Sequence, residues 1–340
     1  MVDRKPVVSE EIPGFMVRAK ALPEAWEKAV LRVWHEGARM ETEYDRVTDE
    51  PSRDATVMIV VDDPLIEPSI HKNIPCGIEE LEVYRQEIVE GIHDHWIKPE
   101  EGKWSYTYHQ RLLAYQPMHI RDDGKWVELC PILFPLDQIE YLVDKLSTAP
   151  HSRRAQAITW MPTCDPNTDD PPCLQRIWMR LVPTMRHDGT CFGFQNATDK
   201  ACQYCQIQSR CEQRQREVES GESEFRTGYV LEMNTHWRSR DLYRAWFMNA
   251  WAMVSLQKKI AGLLSERLEC DVFCGRYVDI SDSLHIYGSC FTESFLIEIE
   301  KMRSSSWQDR AMDSVALQPI FHEVRQKLSA DPDHYAKGGR

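Results

Sequence analysis

Residues 152–182 place the tightest constraint on how this chain can fold. Ala155-Gln-Ala-Ile-Thr-Trp160 and Ile177-Trp-Met-Arg-Leu-Val182 both read as strands. Between them runs a polar loop that holds Cys164 and ends Asp170-Pro171-Pro172-Cys173. Proline cannot donate to a strand ladder, so the chain turns before the second strand begins. Cys173 then stands on the rim of a buried strand. A cysteine there either packs as a small apolar residue or, as a thiolate, acts as a nucleophile. Just upstream, Arg153 and Arg154 form a pair suited to an anion.

The rest of the chain mixes helices and strands. Pro23–Trp34 has apolar residues at helical spacing, with Pro23 in the first turn. Ala55–Val61, Tyr229–Met233, Val272–Ile280 and Leu284–Tyr287 read as strands; Lys103–Tyr108 reads as a strand or turn. Ile78–Ile92, Leu136–Leu146, Leu242–Leu263 and Val315–Leu328 read as helices. No regular strand–helix–strand alternation appears, so the expected class is α+β. Residues 1–14 read as an N-terminal arm and 15–340 as one domain, with 190–224 a Cys-rich insertion.

Composition narrows the function. The 340 residues are 42% hydrophobic and include 11 Trp, enough for a substantial core. A net charge of −13 argues against broad electrostatic binding of nucleic acid, while a local arginine cluster can still hold a small anion. No apolar run reaches membrane-span length, and the first residues lack a signal-peptide core. The expectation is a soluble cytoplasmic protein with no membrane partner. Eleven cysteines without an export signal do not suggest a disulfide framework.

Two later stretches complete a site. Arg238-Ser239-Arg240-Asp241 is followed eight residues on by Asn249, and then by His285-Ile286-Tyr287. An Arg pair, Pro-Cys, Arg-Ser-x-Asp, Asn at that distance and His-x-Tyr, in this order, resemble thymidylate synthase and the related pyrimidine-nucleotide hydroxymethylases. The resemblance spans roughly the C-terminal two thirds of the chain. It implies a large twisted mixed sheet flanked by helices, and a homodimer packed sheet against sheet. It also implies a pyrimidine deoxynucleotide monophosphate as substrate, and 5,10-methylenetetrahydrofolate as one-carbon donor.

Residue by residue, the resemblance makes Cys173 the nucleophile that adds to C6 of the pyrimidine. A thiolate suits that role because it adds and leaves reversibly. Arg238 and Ser239 match the phosphate pair, Arg53 resembles a further phosphate ligand, and Arg153 and Arg154 match arginines donated across a dimer. Guanidinium forks suit phosphate through paired charge-assisted hydrogen bonds. Asn249 matches the reader of the pyrimidine edge, where an amide selects uracil by donating to O4 and accepting from N3–H. His285 and Tyr287 match ligands of the sugar 3′-hydroxyl, and their spacing puts both on one face of a strand. Asp241 matches the carboxylate that holds the pterin ring. Glu80 fits a proton relay near O4, with Glu87 as its rival. Tyr108 resembles the tyrosine beside the C5 proton, Trp96 and Trp104 could wall the folate, and Trp160 could lie near the nucleotide.

The chain departs from the family pattern in places. Leu174 follows the nucleophile where the family has His, Trp237 precedes Arg238 where it has Gln, and Ala55 replaces a Gly near Arg53. The chain ends Asp331-Pro-Asp-His-Tyr-Ala-Lys-Gly-Gly-Arg340, polar where the family closes its site with an apolar peptide. Reductive methylation benefits from a dry, closed site. The expectation is therefore the 5-hydroxymethyl product from dUMP. Thymidylate is the first alternative, and hydroxymethylation of a cytidine nucleotide the second. A non-catalytic binding module is a rival from another class.

The family does not explain Cys191, Cys202, Cys205 and Cys211, spaced C-x10-C-x2-C-x5-C in a polar stretch. Four thiolates can close a tetrahedral site and supply folding energy that the segment lacks. The irregular spacing suggests a 4Fe-4S cluster, with zinc as the alternative.

Overall fold

The computed structural model describes residues 11–120, 125–128, 135–185 and 227–335. At its centre is a mixed seven-stranded sheet in the order β1-β3-β10-β9-β8-β7, with β2 pairing on β3. The strands are β1 (Gly14–Ala19), β2 (Ala38–Met40), β3 (Ser52–Val61), β7 (Gln156–Ile158), β8 (Leu174–Met185), β9 (Thr227–Asp241) and β10 (Val272–Ile286). Two small ladders pair β4 (Ile70–His71) with β11 (Ala311–Met312), and β5 (Met118–Ile120) with β6 (Trp126–Glu128). The helices are α1 (Leu22–Glu36), α2 (Ile78–Glu90), α3 (Tyr108–Leu113), α4 (Gln138–Thr148), α5 (Trp246–Leu268), α6 (Glu293–Ser304), α7 (Trp307–Arg310) and α8 (Gln318–Ala330). This is the α+β sheet flanked by helices that the sequence suggests. Among the described residues no helix is long and apolar enough to cross a membrane.

Local chemistry accounts for these elements. Pro23 opens α1, and Ala25, Trp26, Ala29, Val30 and Val33 form one fully buried stripe. In β3, Ala55, Val57 and Ile59 point into the core while Thr56 and Met58 face out. Glu80 caps α2 by accepting from the Gly77 N–H at 2.9 Å. Gly91 ends α2 in the left-handed region at φ 66°, where glycine carries no steric penalty. Arg111 of α3 holds the loop after β7 through a buried pair with Asp165 at 2.7 Å and a bond to the Thr159 carbonyl at 3.0 Å. One partner lost would leave the other charge buried and unpaired.

The strand register places the site. Leu174 pairs with Trp237, so Cys173 lies at the edge of β8 beside Arg238. β9 and β10 run parallel, with Ser239 opposite Ser283 and Asp241 opposite His285. β3 then brings Asp54 against His285 and Arg53 against Ile286. One end of the sheet thus gathers parts of three motifs far apart in sequence.

The structure also differs from the sequence reading. Tyr108 opens a short helix rather than closing a strand. β9 continues through Arg238–Asp241, and the helix after it begins at Trp246, not Leu242. Val272–Ile286 is one strand with register shifts rather than two. β1 and α6 were not foreseen. The insertion 190–224, with its four cysteines, lies outside the described residues. Among the described residues no group of three or more His, Cys, Asp or Glu stands together to hold a metal ion.

Candidate active site

Cys173 is partly buried, and its Sγ lies 3.8 Å from Ser239 Oγ. Two anchors fix its backbone. Its carbonyl accepts from the Arg238 N–H at 2.9 Å. Its own N–H donates to the Tyr108 hydroxyl at 3.2 Å, and the Leu174 N–H donates to the same oxygen at 3.3 Å. Both lone pairs of Tyr108 are therefore engaged, which leaves its O–H to donate. Burial raises the Tyr108 pKa, and the nearby Cys173 adds to the rise, so the phenol stays protonated. Its ring meets Trp237 edge-on at 5.8 Å.

Arg238 binds the same loop. Nη2 donates to the Pro171 carbonyl at 2.8 Å, Nε to Pro172 at 3.2 Å and Nη1 to Ser239 Oγ at 3.2 Å. Three of its five N–H bonds are used, and two are left to meet an anion. Arg238, Ser239 and Cys173 thus form one unit.

At the same end of the sheet, His285 is 6% exposed. Its Nδ1 lies 3.4 Å from Ser283 Oγ, which donates to Asp54 at 2.7 Å. Its Nε2 is buried without a partner among the described residues, a vacancy that a ligand hydroxyl would fill. Burial lowers the His285 pKa despite the opposing charge of Asp241, and burial raises that of Asp241 against a backbone bond from Arg244. Tyr287 sits 4.4 Å from His285, its pKa raised by burial and then by Asp241. The exposed Tyr44 meets Tyr287 edge-on at 6.1 Å. Gly288 is needed here, because a Cβ would stand 1.6 Å from the Glu50 carbonyl oxygen.

Asn249 lies in the first turn of α5, 8% exposed, and its Nδ2 donates to the Tyr84 hydroxyl at 2.6 Å. Below it Arg240 is 3% exposed and paired with Asp279, its guanidinium 4.1 Å from the Trp237 ring centre. Its charge acts on both Tyr84 and Tyr108. Glu87 is bonded to His93 at 2.9 Å, and His93 stacks on Trp96 at 3.7 Å. Trp104 meets Trp96 edge-on at 4.9 Å and is 41% exposed.

The remaining candidate residues have these surroundings. Glu80 is exposed and committed to the N-terminus of α2, whereas Glu87 lies one turn beyond Tyr84. Arg53 is 8% exposed, donates to the Pro51 carbonyl and lies 5.3 and 5.5 Å from the Trp34 and Phe291 ring centres. Arg153 and Arg154 are exposed in the segment just before β7. Trp160 is tied by its carbonyl to the Tyr115 hydroxyl at 3.2 Å. The polar tail after α8 does not simply leave the molecule: Asp333 accepts from Trp96 Nε1 at 2.6 Å and meets His95 at 2.8 Å. Sequence reasoning overlooked Arg240. It is buried in β9 and pairs with Asp279, equally buried in the neighbouring strand β10.

No family model matches the chain. A curated relative from Methanococcoides burtonii, named "Putative thymidylate synthase", is 28% identical over 165 residues. That match covers 47% of this chain and 61% of the relative, so the chain spans about three fifths of its length. A relative of the same name from Methanothermobacter thermautotrophicus is 22% identical over 287 residues, covering 83% of this chain and 97% of the relative. A solved structure, thermostable thymidylate synthase A from Bacillus subtilis, is 15% identical with a TM-score of 0.47, covering 82% of this chain and 84% of that one. The chain is thus similar to archaeal proteins named putative thymidylate synthase.

Proposed function

We propose that this thymidylate synthase-like chain transfers one carbon from 5,10-methylenetetrahydrofolate to C5 of dUMP, with Cys173 as nucleophile. The observation that carries the reading is the single unit formed by Cys173, Ser239, Arg238 and Tyr108 at the end of the sheet. Arg238 and Ser239 receive the phosphate. His285 Nε2 and Tyr287 receive the sugar hydroxyl. Asn249 faces the base.

In this reading Cys173 Sγ bonds to C6, and the C5–C6 π pair moves toward C5 and O4. Glu87, through Tyr84 and water, handles the proton at O4. C5 then attacks the methylene carbon of the folate, whose bond to nitrogen breaks. Tyr108 donates a hydrogen bond to the water that takes the C5 proton. Asp241 has one oxygen on the Arg244 N–H at 2.8 Å and the other to accept from an aminopyrimidine, which suits the pterin. Trp96 and Trp104 supply an aromatic wall beside it.

Loss of the C5 proton breaks the remaining carbon–nitrogen bond and releases tetrahydrofolate; the exocyclic methylene left on C5 accepts water, and departure of the thiolate from C6 gives the 5-hydroxymethyl nucleotide. The polar contact of Asp333, 55% exposed, with Trp96 favours a wet closure and hence this product. The names given to the relatives favour the second reading, reductive methylation to thymidylate with dihydrofolate released. Product mass after incubation with both dUMP and dCMP decides between them and tests the choice of base. Wild-type protein that releases no tritium from C5-labelled dUMP would overturn both readings.

Two further elements belong to the proposal. The outer face of the sheet carries exposed Met16, Met58, Ile158 and Val182, an apolar surface suited to a second copy. Trp178 on that face donates to the Arg153 carbonyl at 3.0 Å, which supports a role for Arg153 and Arg154 in the partner's site. The four cysteines of the insertion would hold a 4Fe-4S cluster, or zinc, as a brace ahead of β9 rather than as a redox centre.

A further inference from the structure

Resting on that reading, Asn249 sets the base, and the residue behind it sets Asn249. Its Nδ2 donates to the Tyr84 hydroxyl at 2.6 Å. Its Oδ1 has no partner among the described residues and is not sealed from solvent. A primary amide meets uracil side by side: Oδ1 accepts from N3–H, and the N–H alongside Oδ1 donates to O4. The second N–H then points away from the base and needs an acceptor. Cytosine reverses both bonds, so it needs the amide turned over, with Oδ1 where Nδ2 stands.

A tyrosine hydroxyl can donate or accept, so its own proton decides which amide orientation it supports. Glu87 shares a helix face with Tyr84, three residues on, and its negative charge acts on that hydroxyl. Arg240, buried below, acts with the opposite sign. Burial, then Tyr108 and Glu87, keep the Tyr84 hydroxyl protonated. The oxygen lone pair is left for Asn249 Nδ2, which is the bond observed.

We propose that Tyr84 is a specificity-determining positioning residue: by accepting from Asn249 Nδ2, it holds the amide in the orientation that reads uracil and refuses cytosine.

The test is equilibrium binding of dUMP and dCMP, measured by calorimetry on the whole protein, with Tyr84→Phe in the wild-type and Asn249→Ala backgrounds. Phe keeps the ring and removes only the hydroxyl. The wild type should prefer dUMP, and Tyr84→Phe should cut that preference about fivefold to tenfold, as expected for one buried hydrogen bond. In the Asn249→Ala background the same change should move the preference less than twofold, because no amide remains to orient. An unchanged preference in Tyr84→Phe would overturn the proposal. So would equal weakening of both nucleotides, or an equal effect without the amide. Failure of the wild type to bind either nucleotide would instead overturn the functional reading beneath it.

Discussion

Replacing Tyr108 with Phe isolates the anchor beneath the nucleophile. The ring remains, and with it the edge contact to Trp237 at 5.8 Å. What is lost is one oxygen that accepts from the Cys173 and Leu174 N–H groups at 3.2 and 3.3 Å. Both bonds are near the long end of the normal range, so each is worth about 1 kcal/mol. Their sum, about 2 kcal/mol, should appear as lost stability in urea unfolding. If the same bonds hold Cys173 in its attacking position, the loss is felt again in the transition state. There about 2 kcal/mol corresponds to roughly 30-fold in rate. Removal of the donor to the catalytic water adds to that, since general acid–base help is typically worth ~100-fold or more. Tyr108→Phe should therefore slow tritium release from C5-labelled dUMP by at least about 30-fold. A variant that loses stability but keeps its rate within twofold would refute the link between this anchor and the chemistry.

The remaining predictions are more direct. Glu87→Gln should slow tritium release by ~100-fold, whereas Glu80→Gln should cost only about 1 kcal/mol of stability through the helix cap; the reverse ranking would restore Glu80 as the relay. Because burial depresses the His285 pKa, the folded protein resists its protonation, and this contributes stability above the unfolded value of about 6.5 that is lost as pH falls through the folded value. His285→Asn should therefore flatten the fall in unfolding free energy over that window, and an unchanged slope there would contradict the assignment. Protein purified without oxygen should carry about four irons per chain, lost when Cys202 and Cys205 are both replaced; stoichiometric zinc would exclude the cluster, and metal kept by the double variant would exclude the site.

Much of the fold was legible because its periodic signals are strong. The stripe Trp26, Val30, Val33 marks α1, and the β-branched run to Val61 marks β3. What stayed hidden has physical reasons. Arg238–Asp241 reads as a motif rather than a strand because polar residues at a sheet's end break the apolar alternation. Helix α6 has a Thr292 cap and buried Phe295, Ile299 and Met302, but exposed Leu296 and Ile297 blur its stripe. The motif order pointed to the site residues, but not to their neighbours. The pairing of Arg240 with Asp279, and of Asn249 with Tyr84, depends on strand and helix contacts 39 and 165 residues apart, which no local pattern carries. For the same reason Glu80 and Glu87 could not be separated until one proved to be a cap.

The central claim is covalent attack by Cys173 on C6 followed by loss of the C5 proton. A dUMP analogue with fluorine at C5 can enter the first step but has no proton to lose. Incubated with methylenetetrahydrofolate, the wild-type protein should gain the combined mass of nucleotide and folate, and peptide mapping should place the adduct on Cys173. No adduct, an adduct on another cysteine, or an undiminished adduct in Cys173→Ala would contradict the account.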